Sequence, residues 1–342
     1  MSLQLNTLFV TTEGAYLRKD HETVVVRVEE TTRVQVPLQH LASVVCFGRV
    51  GVSPELMSAL AEAGVHVAFF SPTGRFLARV EGMPGGNVVL RRGQFRCADD
   101  GPRTLALARA MVAGKVYNTR QFLLHAKRDA ADARRQGLAE AAERLASSLR
   151  TLGSAETLDA VRGVEGNAAR EYFAVFPLLV KREEEAFRFE GRSRRPPKDR
   201  INALLSFGYA LLAQDCAGAA AGVGLDAAVG YLHGERPGRL SLALDLMEEL
   251  RAAVVDRLVL SLVNRGQVGA GDFVEDAAGG WRMSDAARKT FLVAYQEAKQ
   301  VQVQHEFLGQ QVPWGRVPHL QALLLARVIR GDLEVYPPFR MR

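Results

Sequence analysis

Four side chains in this sequence are of types that can together hold a divalent cation: the carboxylates of Glu165, Asp245 and Glu248 and the imidazole of His233. Glu165 sits in Val164-Glu165-Gly166-Asn167-Ala168-Ala169-Arg170, where small neighbours let a ligand or another backbone approach the carboxylate closely. His233 lies in Tyr231-Leu232-His233-Gly234-Glu235-Arg236-Pro237-Gly238-Arg239, a passage from apolar to Gly/Pro-rich residues that reads as a strand or loop entering a turn. An imidazole there can ligate a metal through one nitrogen while a neighbour orients the other. Asp245 and Glu248, at i and i+3, share one helix face. Asp245 also interrupts an apolar run, which is costly unless its carboxylate is paired, hydrogen-bonded or on a metal. Each has a plainer reading: a Glu on a helix is ordinarily a solvated surface residue, a loop His is ordinarily exposed, and Asp245 could be a first-turn acid favoured by the helix dipole.

Two carboxylates and one imidazole make a hard oxygen and nitrogen donor set without thiolates, better suited to Mn²⁺ or Mg²⁺ than to structural zinc. An incompletely ligated ion of this kind polarises a phosphodiester, lowers the pKa of an attacking hydroxyl and stabilises the leaving oxygen. The chemistry indicated is phosphoryl transfer. Arginine forks suit phosphate oxygens, and Arg236 and Arg239 flank His233, while Arg192-Ser193-Arg194-Arg195-Pro196-Pro197-Lys198-Asp199-Arg200 concentrates positive charge before an apolar segment. The alternative for that run is a solvated linker. The net charge of +6, from 44 Lys and Arg against 38 Asp and Glu, favours polyanionic partners only modestly.

The elements that must position these residues change character along the chain. Up to about residue 90, period-two alternation predicts half-buried strands, with Val24, Val26 and Val28 set against Val25, Arg27 and Glu29 and a similar pattern in Arg33-Val34-Gln35-Val36. Val44 to Phe47 and Val65 to Phe70 read as more fully buried strands. One helix interrupts them, with Ser53 as cap, Pro54 in its first turn, Leu56 and Leu60 on one face and Gly64 at its end. The loop Gly82 to Asn87 breaks the pattern, and Arg91-Arg92-Gly93 follows a last short strand. Beyond about residue 102 the period becomes helical, predicting helices near 103–128, 137–152, 155–178, 199–222, 243–264, 284–304 and 317–330, with Asp199 and Ser284 as caps. The expectation is an α+β protein of two domains: a β-rich N-terminal domain with one helix over 1–92 and an all-helical C-terminal catalytic domain over 100–342.

With 342 residues, 48% hydrophobic and 24% charged, the chain has the composition of an ordinary globular protein. Cys46, Cys97 and Cys216 are odd in number and far apart, which fits a reducing compartment rather than a disulfide framework. The N-terminus lacks a signal-peptide pattern. The most apolar stretch, Ile201 to Leu225, contains Gln214 and Asp215 and reads as a buried core helix rather than a membrane span.

Taken in order, three segments resemble the CRISPR-associated integrase of the spacer-adaptation machinery, the Cas-one family. They are Val164-Glu165-Gly166 with Tyr172-Phe173; Arg195 through Asn202 to Tyr209; and Leu232-His233 through Asp245-Leu246-Met247-Glu248. The ending Gln321 to Arg327 and Gly331 to Phe339 is similar to the subtype I-C branch. The resemblance implies an N-terminal β domain that dimerises and a helical catalytic domain. It also implies one Mn²⁺ or Mg²⁺ held by Glu165, His233 and Glu248, with Asp245 as a supporting or alternative ligand, because many members carry Asp-x-x-Asp where this chain has Asp245-Leu246-Met247-Glu248. The implied reaction joins the 3′ hydroxyl ends of a captured DNA duplex to a CRISPR repeat by transesterification, with DNA cleavage at the same site. Arg195, Lys198, Arg236 and Arg239 become DNA-backbone contacts. The implied assembly is a homodimer joined to a small partner of the Cas-two family in a heterohexamer, in the cytoplasm. A catalytically idle DNA-binding scaffold is the reading from another class. A hydrolase of small phosphoesters is disfavoured because the sequence shows neither a Gly-rich phosphate loop nor a His-Asp dyad.

Overall fold

The computed structural model describes residues 6–82 and 88–341. The segment read for a signal peptide lies, through Leu5, outside the described residues, as does the expected interdomain loop from Met83 to Asn87. The chain forms two compact units, Met1–Gly85 with Met283–Gln300 and Gly86–Arg282 with Val301–Arg342.

Among the described residues the first unit holds eight strands: β1 (Asn6–Val10), β2 (Tyr16–Asp20), β3 (Thr23–Val28), β4 (Thr31–Pro37), β5 (Leu41–Phe47), β6 (Gly51–Val52), β7 (His66–Phe70) and β8 (Phe76–Val80). They form two four-stranded sheets, ordered β1-β5-β7-β8 and β4-β3-β2-β6. In the first, β1, β5 and β7 run parallel, with Val44 opposite Val67 and Cys46 opposite Phe69. Helix α1 (Pro54–Glu62) starts as expected: the Ser53 hydroxyl accepts the Leu56 N–H at 3.2 Å and Pro54 occupies the first turn. Its Leu56 and Leu60 join Val24, Val44 and Val67 in one core. Gly64 takes φ +70°, a left-handed conformation that ends the helix without a Cβ clash.

Two expectations for this unit need correction. Val24, Val25 and Val26 are all buried, so both faces of β3, an inner strand, are covered. In β4, an edge strand, alternation does not bury a face, and Val34 is 41% exposed. The helix expected near 284–304 is shorter, Asp285–Gln300, and belongs to this unit rather than to the helical half. It buries Phe291, Leu292 and Tyr295, and Arg288 donates to the Pro72 carbonyl.

The second unit is built on α2 (Val88–Asp99), α3 (Gly101–Arg128), α4 (Asp132–Gly153), α5 (Leu158–Val175), α6 (Arg200–Gly222), α7 (Ser241–Glu248) and α8 (Arg257–Asn264). The helix Asp285–Gln300 is α9, and α10 (Val317–Arg330) returns to the second unit. Val88 to Asp99 is helical where the β-branched Val88-Val89 suggests a strand end. Leu90, Gln94 and Cys97 recur at helical spacing on its buried face, and the Gln94 amide donates to the Asp226 and Val229 carbonyls at 2.9 and 3.0 Å. The region is also not all-helical. Gln302–His305 (β11) pairs antiparallel with Gln310–Pro313 (β12), and Phe273–Glu275 (β9) with Trp281–Met283 (β10) makes a second two-stranded sheet.

Helix α6 is buried nearly all round, and the Asp199 carboxylate caps it by accepting the Asn202 N–H at 2.7 Å. Among the described residues no helix is long and apolar enough to cross a membrane. The span expected as one helix over 243–264 is three pieces: α7, a π-helical turn at Arg251–Asp256, and α8. Helix α3 packs against α5, α7 and this turn, and that packing assembles the charged cluster described next.

Candidate metal centre

Glu165 reaches the cluster from α5, Glu248 from the last turn of α7 and His233 from the loop between α6 and α7. A residue whose spacing gives no warning stands at the centre: Lys115 of α3. Its ammonium pairs with Glu165 and, at 2.7 Å, with Glu248 Oε2. The other Glu248 oxygen lies 3.1 Å from the Arg251 guanidinium and 3.9 Å from His233 Nε2. Glu165 and Glu248 thus face one position already taken by a positive charge.

Asp245 does something different. It is fully buried, and each of its oxygens accepts twice: Oδ2 from the Tyr231 and Leu232 N–H groups at 2.6 and 3.0 Å, Oδ1 from the His233 N–H at 3.0 Å and from His233 Nδ1 at 2.6 Å. A carboxylate only accepts, so Nδ1 donates to it, and in the neutral imidazole Nε2 is left with a lone pair directed away from Asp245. The close approach depends on Gly230, where a Cβ would meet Ser241 Cβ at 2.7 Å and Asp245 Oδ2 at 2.9 Å. Arg162 of α5, donating to the Leu232 carbonyl at 2.9 Å, and Ser241, donating to Gly234 O at 3.1 Å, hold the loop from either side. The His233–Asp245 pair is a dyad absent from the expectation, because its members lie far enough apart that only the fold of the loop onto α7 joins them.

Burial works against ionising Glu248, which is 3% exposed, but Arg251, Lys115 and His233 outweigh it and bring its carboxyl down to about 2. Glu248 is therefore anionic at neutral pH. Its neighbour Glu249 faces elsewhere. Burial pushes Glu249 up to about 8, against donors from Phe339 N–H, Tyr336 and Gln321 at 2.6, 2.8 and 2.9 Å. With Asn118, which donates to Glu249 O and Phe339 O and accepts from Met341 N–H, it ties the C-terminal segment into the interior.

The donor set fits a divalent ion. Two carboxylates and an imidazole nitrogen oriented by Asp245 are hard ligands, and Glu248 Oε2, buried, makes no hydrogen bond of good geometry and is met only as an ion pair. Among the described residues no three His, Cys, Asp or Glu side chains converge as a ready-made metal cage, since Glu165 meets Glu248 through the shared Lys115 ammonium. The adjoining cavity, lined by Lys115, Glu165, Tyr172, Arg194, Tyr209 and Arg251, has a volume of about 40 Å³. That admits an ion and a few waters rather than a small-molecule substrate, whose pockets usually run to ~300 Å³ or more. The larger groove of about 800 Å³ runs along α4 and α5, lined by Ser147, Thr151, Thr157 and Asn167, and does not include the charged cluster.

The basic residues divide. Arg194, Arg195, Lys198 and Arg236 are exposed and Arg239 partly so. Arg192 and Arg200, from the same run, serve the fold: Arg192 donates to Asn202 and Ser206 at 2.7 and 3.1 Å, and Arg200 stacks 3.6 Å over the Trp281 ring. Only part of that run is therefore free for an anionic partner.

Another buried acid lies at the end of the π-helical turn. Asp256 accepts from the Tyr172 and Tyr209 hydroxyls at 2.9 and 2.5 Å, and Arg251 and Arg192 lie 4.7 and 5.4 Å from the Tyr209 ring centroid. Burial, the largest influence, pushes its carboxyl from 3.8 up to about 6 despite both hydroxyls and both guanidinium groups. A folded-state value raised above the unfolded one means the stability tied to the bound proton is complete below pH 3.8 and lost as pH rises to about 6. The difference corresponds to about 3 kcal/mol. In urea titrations the wild-type unfolding free energy is expected to fall across that window relative to Asp256→Asn. Parallel pH profiles for the two proteins would show that Asp256 does not titrate there.

Residues 8–297 match the family described as CRISPR associated protein Cas1. The chain is 50% identical over 343 residues to the CRISPR-associated endonuclease Cas1 1 of Moorella thermoacetica, covering all of both chains. In structure it resembles a Cas1 protein from Thermotoga maritima, with a TM-score of 0.83 at 26% identity over 97% of this chain and 99% of that one. It shares its fold with part of a Cas6-RT-Cas1–Cas2 complex, with a TM-score of 0.82 at 24% identity over all of this chain and 36% of that one. A family match across most of the sequence, a full-length relative at half identity and a shared fold converge on one conclusion: the chain belongs to the Cas1 family of CRISPR-associated proteins.

Proposed function

We propose that this Cas1-family chain is a divalent-metal-dependent DNA endonuclease and integrase of CRISPR spacer acquisition. The observation that carries the reading is that Glu165 and Glu248 share one cation position, now filled by the Lys115 ammonium, with His233 Nε2 3.9 Å from the other Glu248 oxygen. Mn²⁺ or Mg²⁺ bound there would polarise the phosphodiester and stabilise both the attacking and the leaving oxygen. Glu165 and Glu248 supply the anionic ligands. Asp245 acts through His233 rather than as a ligand, because both its oxygens are already engaged by this chain's own donors.

In the joining reaction a duplex 3′ oxygen forms a new bond to a repeat phosphorus while the original P–O3′ bond breaks. The attacking hydroxyl gives up a proton and the leaving 3′ oxygen gains one. Water in place of the 3′ hydroxyl gives cleavage. Arg195, Lys198, Arg236 and Arg239 contact phosphates on either strand, as the exposure of Arg195, Lys198 and Arg236 permits. The chain works as a homodimer through its β-rich unit, joined to a Cas2-type partner in a heterohexamer. Three buried free cysteines accord with a cytoplasmic setting, and the C-terminal segment from Gly331 to Phe339 with a subtype I-C placement.

The reading is tested by joining of a labelled duplex to a supercoiled repeat-bearing plasmid, with and without the Cas2-type partner, Mn²⁺ and chelator. Joined product is expected with metal and is abolished by chelator. Joining that persists in chelator removes the metal from the mechanism, and no product under any condition favours a scaffold that only binds DNA.

A further inference from the structure

We propose that Lys115 is the built-in counter-cation of the centre: in the metal-free chain its ammonium holds Glu165 and Glu248 together, and a divalent ion binds by displacing it. This rests on the metal reading above. Each Glu248 oxygen has its own cation, Arg251 at 3.1 Å on Oε1 and Lys115 at 2.7 Å on Oε2, and of these two Lys115 also pairs with Glu165. Two carboxylates aimed at one position repel each other unless a positive charge lies between them. The Lys115 ammonium occupies the position that a metal bridging the two carboxylates would need.

The two cations differ in freedom. The Arg251 guanidinium is held against the Tyr209 ring, 4.7 Å from its centroid, and its residue is set by the π-helical turn. Lys115 presents a compact charge on a flexible four-carbon stem from the long helix α3, so its head can move while its backbone stays fixed. The adjoining cavity, which Lys115 lines together with Arg194 and Arg251, offers a place for the displaced ammonium, among groups suited to an incoming phosphate. Lys115 is thus a positioning residue without metal and becomes available to the DNA backbone once metal is bound.

The test is calorimetric titration of the metal-free full chain with MnCl₂ for wild type, Lys115→Met and Lys115→Arg. Removing a competing positive charge is expected to tighten Mn²⁺ binding about tenfold in Lys115→Met, while Lys115→Arg stays within about twofold of wild type. The metal-free Lys115→Met protein is expected to melt at a lower temperature than wild type and to gain more from added Mn²⁺. Lys115→Gln, neutral but still polar, is the second neutral variant if Lys115→Met does not fold. Unchanged or weaker Mn²⁺ affinity in the folded neutral variant overturns the displacement idea while leaving the metal site standing. If folded wild type binds no Mn²⁺, the metal reading fails and this inference fails with it.

Discussion

Glu165→Ala and His233→Ala are each expected to slow Mn²⁺-dependent DNA joining roughly a thousandfold, because a misheld metal forfeits stabilisation worth about 4 kcal/mol. Both proteins should remain folded. The side chains of Glu165 and His233 are 26% and 21% exposed, so neither truncation opens the core. Without Glu165, Lys115 keeps Glu248 as a partner; without the imidazole, Asp245 keeps three backbone donors. Glu248→Ala is a poorer probe, since it strands the largely buried Arg251 beside a lost carboxylate, a change that typically costs ~3–5 kcal/mol of stability, although Lys115 keeps Glu165. The decisive measurement is single-turnover joining beside thermal melts and branched-DNA binding. Full joining in a folded Glu165→Ala protein would remove Glu165 from the site, and joining lost together with DNA binding would point to a structural defect instead.

Some of this architecture can be read from local rules. The cap Ser53-Pro54 with Leu56 and Leu60, the Asp199 cap and the largely apolar character of Ile201 to Leu225 each report short-range physics, and the corresponding helices form where those signals lie. What spacing does not reveal depends on the tertiary environment. Val34 is exposed on the edge strand β4, and Val25 is buried because both faces of β3 are covered; neither outcome is set by local spacing. Val88-Val89 favours a strand locally, but the buried Gln94 bound to Asp226 and Val229 carbonyls keeps α2 helical. The π-helical turn after Glu249 has no marker in composition, and it divides the apolar span expected to be one helix.

The candidate site divides in the same way. Residue type and setting single out Glu165, His233, Asp245 and Glu248, and Asp245 stands out because a charge inside an apolar run demands a partner. Its partners are three consecutive backbone N–H groups and one imidazole, supplied by a loop twelve to fourteen residues away in sequence. Lys115 and Arg251, by contrast, carry no local mark in the sequence, and the packing of α3 against α5, α7 and the π-helical turn that begins at Arg251 gives their charges a role. The signal that could have exposed them is electrostatic: acids brought together in a partly buried cluster require neighbouring cations, and Lys115 and Arg251 supply them. Asp256 follows that logic to a different outcome. Without a direct ion pair among the described contacts, it accepts from two tyrosine hydroxyls, and burial raises its pKa despite them.

Asp245→Asn separates orientation of the ligand from ligation, and it is expected to weaken Mn²⁺ binding by ~10–100-fold while leaving all three proposed ligands in place. The wild-type carboxylate has two oxygens and each accepts two hydrogen bonds. An amide of the same shape offers one oxygen and turns an NH₂ group toward two donors, which costs about 1–3 kcal/mol for buried groups left unpaired. With the amide nitrogen toward Tyr231 and Leu232, those two N–H groups lose their acceptor; with it toward His233, the imidazole loses its acceptor and is no longer held with Nε2 toward Glu248, and the affinity loss is expected from that second orientation. Loss of stability alone would not distinguish this from a packing defect, so the comparison is a double-mutant cycle with His233→Ala, reading Mn²⁺ affinity and unfolding free energy separately. If Asp245 acts through His233, the affinity penalty disappears once the imidazole is gone, while the stability penalty from the unpaired backbone groups persists. An affinity penalty of the same size in the His233→Ala background would show that Asp245 touches the metal itself, and the assignment of Glu248 as the third ligand would have to be reopened.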